Sequence, residues 1–440
     1  MRNCLSVSAI VIAVFAGVAA SRPSAAQAPA PPDPRIERML GQVSEQRLVA
    51  ILEKLGSFGT RSTLSSTDSR THGIGAARQW ILDEMKRSSP RLQVSFEVHP
   101  VPKSGRITRD LDLYNVVALL PGRTPRRIYV TAHYDTFARV EKTDAAPAAS
   151  PAPADNPAPG VNDDGSGTAL VMELARIFAE SGVEFDATLA FVAFAGEEQG
   201  LIGARMHAEK ARQQGTPIDA VLNNDMVGNT EAPGRVEDSR RVRVFSEAPE
   251  DSASRQLARY VKAVGARYVP AQQVALVARH DRFGRGGDHT AFNGQGFAAV
   301  RLTEAVENYE RQHTTADTLE GVNIPYFLRN VRLNAAVAAS LALAPPPPAV
   351  ADDRGQPTLG RQPSGYDARL RWVASPGAAG YTVYWREAWT PDWQHAVRVG
   401  DVREYVIPNI SIDDYVFGVS AVGPGGEESV VAAYVNPPRR

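Results

Sequence analysis

The 440-residue chain reads as an α/β protein, with a mixed, mostly parallel central sheet flanked by helices and a small all-β sandwich domain behind it. Three features predict this. The segments IYVTAHYD, LAFVAFAGEE and AVLNNDMVG are apolar runs whose polar residues gather at their C-terminal ends, the pattern of strands covered on both faces. Amphipathic patterns such as TALVMELARIFAES and SASRQLARYVKAVG alternate with strands, and βα alternation argues for a helix-flanked sheet. From about residue 366 the chain changes to short alternating runs separated by turns, as in an all-β domain.

The segments follow in order. The N-terminus has an arginine at position 2, an apolar stretch over 5–20 and then small residues through Ser24-Ala25-Ala26. This is the pattern of a cleavable signal peptide, so a secreted or periplasmic protein is expected. The apolar stretch is short for a spanning helix, and no later segment replaces it, so no membrane span is expected. Cys4 is the single cysteine; a mature chain without it must rely on its core and on bound metal instead of disulfides. A Pro-rich linker covers 27–34, and the main domain is expected over 35–345. Its first helical periodicity runs through IERMLGQVSEQRLVAILEKLGSF, and a second helix through GAARQWILDEMKR. LQVSFEVH, LYNVVALLPG and FAAVRLTE read as strands, and IPYFLRNVRLNAAVAASLALA as a closing helix. Residues 141–160, rich in Pro and Ala, cannot pack a core and are expected to form a loop. That loop either rims the cleft or is a tolerated insertion. A second linker covers 346–365, and 366–440 forms the sandwich. The formal net charge of −1 gives no reason to expect nucleic acid as a partner.

The chemistry-bearing residues sit at the strand ends. They are His133 and Asp135 in TAHYDT, Asp163 in GVNDDGSG, Glu197-Glu198 in AFAGEEQGL, Asp225 in LNNDMVG and His313 in QHTTADT. In an open α/β sheet, ligands bind outside the carboxyl ends of the strands. Zinc takes imidazole nitrogen and carboxylate oxygen, and five such ligands suit two ions if one carboxylate bridges them. Paired metals can stabilise both the attacking and the developing oxygen of a hydrolysis. Residues two apart on a strand point to one side, so His133 and Asp135 address the same site. Glu197 and Glu198 diverge, which allows one to bind metal and the other to reach a water. Taken singly, each string has a plain structural reading: HxD a solvated turn, NDDGSG an Asx turn opening a helix, GEE an acidic first helical turn. All of them in this order argue for a site.

These strings resemble those of secreted bacterial di-zinc aminopeptidases, metallopeptidase family twenty-eight, over about residues 48–343. The resemblance implies a zinc exopeptidase fold acting on peptide substrates with two zinc ions. It implies that His133, Asp163 and Asp225 hold one zinc and Asp163, Glu198 and His313 the other, with Asp163 as the bridge. Glu197 is then the general base, and Asp135 orients His133, since ligating histidines usually donate their other N–H to an acceptor. Asp288 and His289, in a DHxxF stretch found near the site in relatives, take a supporting role. Many relatives carry a tyrosine immediately before the last histidine, as an oxyanion contact; this chain has Gln312 there and Tyr309 three residues earlier. Either residue, or a metal alone, can fill that role. The region from 366 onward resembles a fibronectin type III domain, with Trp372 on an early strand and Tyr415 where a tyrosine corner would fall.

Competing readings use other residues. A carboxypeptidase on this scaffold would need a basic cluster, which Arg282, Arg285, Arg301 and Arg311 could supply. A glutaminyl cyclase, a one-zinc relative with an altered NDDGSG stretch, fits less well because that stretch is intact. An inactive adhesion protein acting through its C-terminal domain would be expected to have lost a ligand. Cobalt or manganese can replace zinc at such donors. His72, His99, His207 and His395 lack a partner pattern and are expected to be surface or satisfied core residues, and His280, in the polar stretch ARHDRFGRGGDH, is expected in a loop.

Overall fold

A computed structural model describes residues 31–139, 153–247, 249–281, 283, 286–361 and 366–435. The signal-peptide stretch, the first part of the Pro/Ala-rich segment, Arg282 and Arg285 lie outside these residues. The first periodic stretch forms two helices, α1 (Pro34–Gly41) and α2 (Glu45–Ser57), where a single run of periodicity was expected. The break falls at Ser44, whose hydroxyl accepts from the Arg47 N–H at 3.3 Å and caps α2, a role serine fills better than a helix-interior one. After α3 (Gly73–Ser88) come β1 (Gln93–Val101), β2 (Leu111–Leu120), β3 (Thr124–His133), α4 (Gly165–Glu180), β4 (Ala187–Phe194), α5 (Ile202–Gln213) and β5 (Ile218–Asn224). The layers are completed by β6 (Arg241–Ser246), α6 (Ala253–Tyr268), β7 (Gln273–Ala278), α7 (His289–Gly294), β8 (Ala299–Glu304) and α8 (Ile324–Leu343).

These strands form one eight-stranded sheet in the order β1-β2-β4-β3-β5-β8-β6-β7. The central pairs β4–β3, β3–β5 and β5–β8 are parallel, as is β6–β7, while β1–β2, β2–β4 and β6–β8 are antiparallel. Alternation along β3 divides the core: Ile128, Val130 and Ala132 face the cluster containing Leu170 and Phe327, whereas Tyr129 faces Ala204, Ala208 and Phe292. Both faces of the sheet are therefore covered by helices. No strand was expected at β7, an edge strand whose residues are at most half-buried. No helix among the described residues is long and apolar enough to cross a membrane.

Two antiparallel sheets follow. One has the order β13 (Glu404–Ile407), β10 (Ala368–Arg371), β9 (Leu359–Arg361); the other runs β12 (His395–Gly400), β11 (Gly380–Glu387), β14 (Tyr415–Val422), β15 (Ala432–Ala433). They share a core of Leu370, Trp372, Tyr381, Val383, Phe417 and Val419. β9 falls inside the stretch expected to be linker. The tyrosine expectation also needs correction. Tyr415 packs its ring on Phe417 at 6.3 Å, and the hydroxyl–backbone links come from Tyr381, which accepts from the Ser375 N–H at 2.9 Å, and Tyr434, which donates to the Arg371 carbonyl at 2.8 Å. The sheets dock on α6: Asp251 pairs with Arg259 at 3.0 Å and Arg386 at 2.6 Å, and Tyr260 donates to the Glu428 carbonyl at 2.9 Å.

Candidate metal centre

Because β4, β3 and β5 are adjacent and parallel, their C-terminal ends meet at one edge. His133 is the last residue of β3, Glu197-Glu198 follow β4 in the loop before α5, and Asp225 is the first residue after β5. Asp163 immediately precedes Asp164, the N-cap of α4. Gly167 lets this helix begin against β5, since a Cβ there would lie 2.5 Å from the Asn224 carbonyl oxygen. His313 arrives from a loop with a left-handed backbone, φ 63°. Met226, just after Asp225, and Leu201, just after the glutamate loop, share that uncommon conformation, which clusters at functional sites.

Two triads result, and they share Asp163. The ligand-type atoms of His133, Asp163 and Asp225 lie within 4.8 Å of one another, as do those of Asp163, Glu198 and His313. His133 Nε2 is 3.5 Å from Asp163 Oδ1 and 3.8 Å from Asp225 Oδ1. His313 Nε2 is 3.1 Å from Asp163 Oδ2 and 2.9 Å from Glu198 Oε1. Imidazole and carboxylate donors in two such groups have the chemistry that zinc and other borderline divalent ions accept.

Electrostatics mark the same residues. Burial disfavours the His133 cation, yet Glu197 and the carboxylates of Asp135, Asp163 and Asp225 push its pKa well above the ordinary value. Burial likewise opposes protonation of His313, but Glu198 and Asp163 push it up to about 11. Burial raises Glu197 well above the usual carboxylate range; His133 pulls it down, while Glu198, Asp225 and Asp288 add to the rise. Asp225, despite burial, is held at about 2, with Arg301 as the main cause and His133 as the next.

The expected supporting residues divide. Asp135 binds the glutamate loop with its carboxylate, accepting from the Glu197 N–H at 3.2 Å and the Glu198 N–H at 3.3 Å. Its backbone carbonyl, at 3.1 Å, is nearer to His133 Nδ1 than its carboxylate at 3.6 Å. Asp288 is buried with no hydrogen-bond partner on either oxygen among the described residues, and burial pushes it up to about 7. His289 faces Glu247 at 3.5 Å. Gln312 Nε2 donates to Asp163 Oδ2 at 2.7 Å, whereas Tyr309 is exposed and its hydroxyl donates to Glu307 at 3.1 Å. The geometry therefore brings Gln312, not Tyr309, to the two triads. Of the arginines considered for a carboxylate clamp, Arg301 is buried against Asp225 and Asp281, and Arg311 pairs with Glu231 at 3.3 Å.

Three framework residues were not anticipated. Asp164 accepts from the His133 N–H at 3.1 Å and from the Gly167 and Met226 N–H groups. Asp317 accepts from the Asn162 and Asp163 N–H groups, both at 2.9 Å. Arg61, fully buried, donates to the Tyr134 carbonyl at 2.7 Å and the Gly160 carbonyl at 2.8 Å, tying the two loops that carry His133 and Asp163. The first two lie within quoted strings; nothing around Arg61 in the sequence distinguished it.

Residues 115–338 match the model of Peptidase family M28. The chain belongs to peptidase family M28. Among curated proteins it is similar to a probable zinc metalloprotease of Pyricularia oryzae, 37% identical and covering 90% of this chain and 84% of the relative. It is also similar to one of Leptosphaeria maculans, 37% identical and covering 90% and 96%. An alignment of that breadth reaches into the C-terminal sheets. These relatives are fungal, which corrects the bacterial relationship expected from the motifs. Among solved structures the M28 chain resembles the LapA aminopeptidase of Legionella pneumophila, with TM-score 0.53, 20% identity, and coverage of 70% of this chain and 74% of that one. It resembles a glutaminyl cyclase of Macrostomum lignano equally in fold, with TM-score 0.53, 16% identity and coverage of 72% and 94%. Fold alone does not separate these two chemistries; the side chains must.

Proposed function

We propose that this M28 peptidase is a zinc aminopeptidase that removes N-terminal residues from peptides, exported by its signal peptide to the periplasm or beyond. The observation that carries this reading is the pair of triads sharing Asp163, with the raised carboxyl of Glu197 beside them. His133, Asp163 and Asp225 would hold one zinc, and Asp163, Glu198 and His313 the second. When bound, the zinc ions supply Lewis-acid polarisation and make water acidic enough to attack near neutral pH. Glu197 takes the proton from the attacking water and returns it to the leaving amine, a role for which a raised pKa is suited. Asp135 fixes Glu197 by binding its backbone N–H, and keeps the imidazole of His133 turned through its own carbonyl. Gln312, whose amide donates to Asp163, is our candidate for the group that would stabilise the oxygen of the scissile carbonyl. Glu197 and Asp225 are the carboxylates available to a free α-amino group.

The fungal relatives named as zinc metalloproteases and the LapA aminopeptidase support this reading. Two complete triads favour it over cyclase chemistry, and the engagement of Arg301 and Arg311 with acidic partners disfavours a carboxypeptidase. We read the C-terminal unit as fibronectin type III-like, on the strength of its three- and four-stranded antiparallel sheets. The test is hydrolysis of aminoacyl p-nitroanilides by the purified protein. Chelator-sensitive release from free but not N-acetylated substrates is expected; release from C-terminally free, N-blocked peptides, or cyclisation of N-terminal glutamine without hydrolysis, would refute the proposal.

A further inference from the structure

Among the ligand-type carboxylates, Asp225 is divided between two partners. Its Oδ1 faces His133 Nε2 at 3.8 Å, and its Oδ2 lies 3.1 Å from a guanidinium nitrogen of Arg301. The same nitrogen reaches the Asp225 backbone carbonyl at 3.4 Å, and the other terminal nitrogen pairs with Asp281. Arg301 is 1% exposed and Asp281 is equally buried. The parallel register of β5 and β8 sets Arg301 opposite Asn223, two residues before Asp225. Gly287 closes the back of the arrangement: a Cβ there would lie 3.1 Å from Arg301 Cδ and 3.4 Å from Asp225 Oδ2. The other triad is built differently. Arg106 donates to the Glu198 backbone carbonyl at 2.7 Å, while the Glu198 carboxylate faces His313.

We propose that Arg301 is a positioning residue that pins Asp225 Oδ2, so that Asp225 offers Oδ1 alone to a metal on the His133 side. The inference rests on the two-metal reading above. It makes the two metal sites separable, because Arg301 supports only one of them. Outer partners of metal ligands typically change affinity by about 10–100-fold when removed, and here that loss falls on the His133–Asp225 site.

The experiment titrates zinc against a chelating dye, using the full-length protein, its Arg301→Met/Asp281→Asn double variant, and Arg301→Lys. The double variant removes the Asp281 charge together with its Arg301 partner, and Arg301→Lys keeps the charge without the fork. The wild type is expected to bind two zinc ions. In the double variant one zinc keeps its affinity and the other weakens about 10–100-fold, with Arg301→Lys between the two. Adding Glu198→Gln to the double variant then weakens the remaining zinc. Equal weakening of both sites, or no change in either, overturns the proposal, and near-UV circular dichroism with zinc present identifies a variant that has lost its fold. A wild type binding fewer than two zinc ions would instead overturn the two-metal reading itself.

Discussion

At the seam between α6 and the C-terminal sheets, buried Asp251 lies between Arg259 at 3.0 Å and Arg386 at 2.6 Å. At the C-terminal edge of the large sheet, Asp163, Glu198 and Asp225 are buried with Asp135 and Asp288 near them, and the Arg301 guanidinium touches Asp225. Taking charge out of water is costly unless it is paired. The seam is compensated by the protein's own cations, so it acts as a fixed staple between the two units. Among the described residues the site gathers more carboxylates than cationic side chains, and burial pushes Glu197 and Asp288 upward. That imbalance is what a divalent cation would relieve, and it separates a site that works from one that only holds.

The contrast can be tested in order of expected effect. Removing zinc with a chelator should abolish hydrolysis and lower the melting temperature, whereas zinc at a hundred times its Kd should add about 2.7 kcal/mol of stability; calorimetry with and without chelator reads both. Glu197→Gln should lower kcat by about 10²–10⁴-fold with zinc content unchanged. Loss of zinc in parallel would make Glu197 a ligand and not the base.

Arg386→Met at the seam should cost about 3–5 kcal/mol by leaving Asp251 under-compensated, seen as a lower urea midpoint with turnover per folded molecule preserved. A loss of turnover without a loss of stability would mean the seam communicates with the site. Asp288→Asn addresses the raised carboxyl directly. With a folded pKa of about 7 and an unfolded value near 4, the folded metal-free protein keeps this proton over a window where the unfolded chain has lost it. Stability is therefore highest below pH 4 for this group and falls as pH rises towards 7, by up to about 1.4 kcal/mol per unit. The asparagine variant should flatten that slope in denaturant titrations of the chelated protein. Last, Asp413→Asn breaks the exposed pair with Arg361, 3.0 Å apart, and should leave the melting temperature unchanged, because exposed pairs contribute little.

Much of this organisation is legible in the residues. Apolar runs ending in polar residues mark β3, β4 and β5 and place His133, Glu198 and Asp225 at one edge, because parallel strands in a helix-covered sheet are apolar along their length. NDDGSG carries both of its readings, since Asp164 caps α4 while Asp163 joins the triads. The N-terminal periodicity was misleading because three residues suffice to break a helix without disturbing the apolar pattern on either side.

The types and order of the candidate ligand residues, and the strand ends that carry them, are written in the chain, because these follow from local periodicity. Tertiary structure decided which neighbours those residues meet. Gln312 reaches Asp163 across 149 residues, Arg301 reaches Asp225 across 76, and Asp317 holds the backbone of Asn162 across 155. Tyr309, three residues from Gln312, is turned to Glu307 instead. Such contacts leave no local pattern in the chain. They are set by where loops land once the sheet is assembled, and by the need to give each buried polar group a partner.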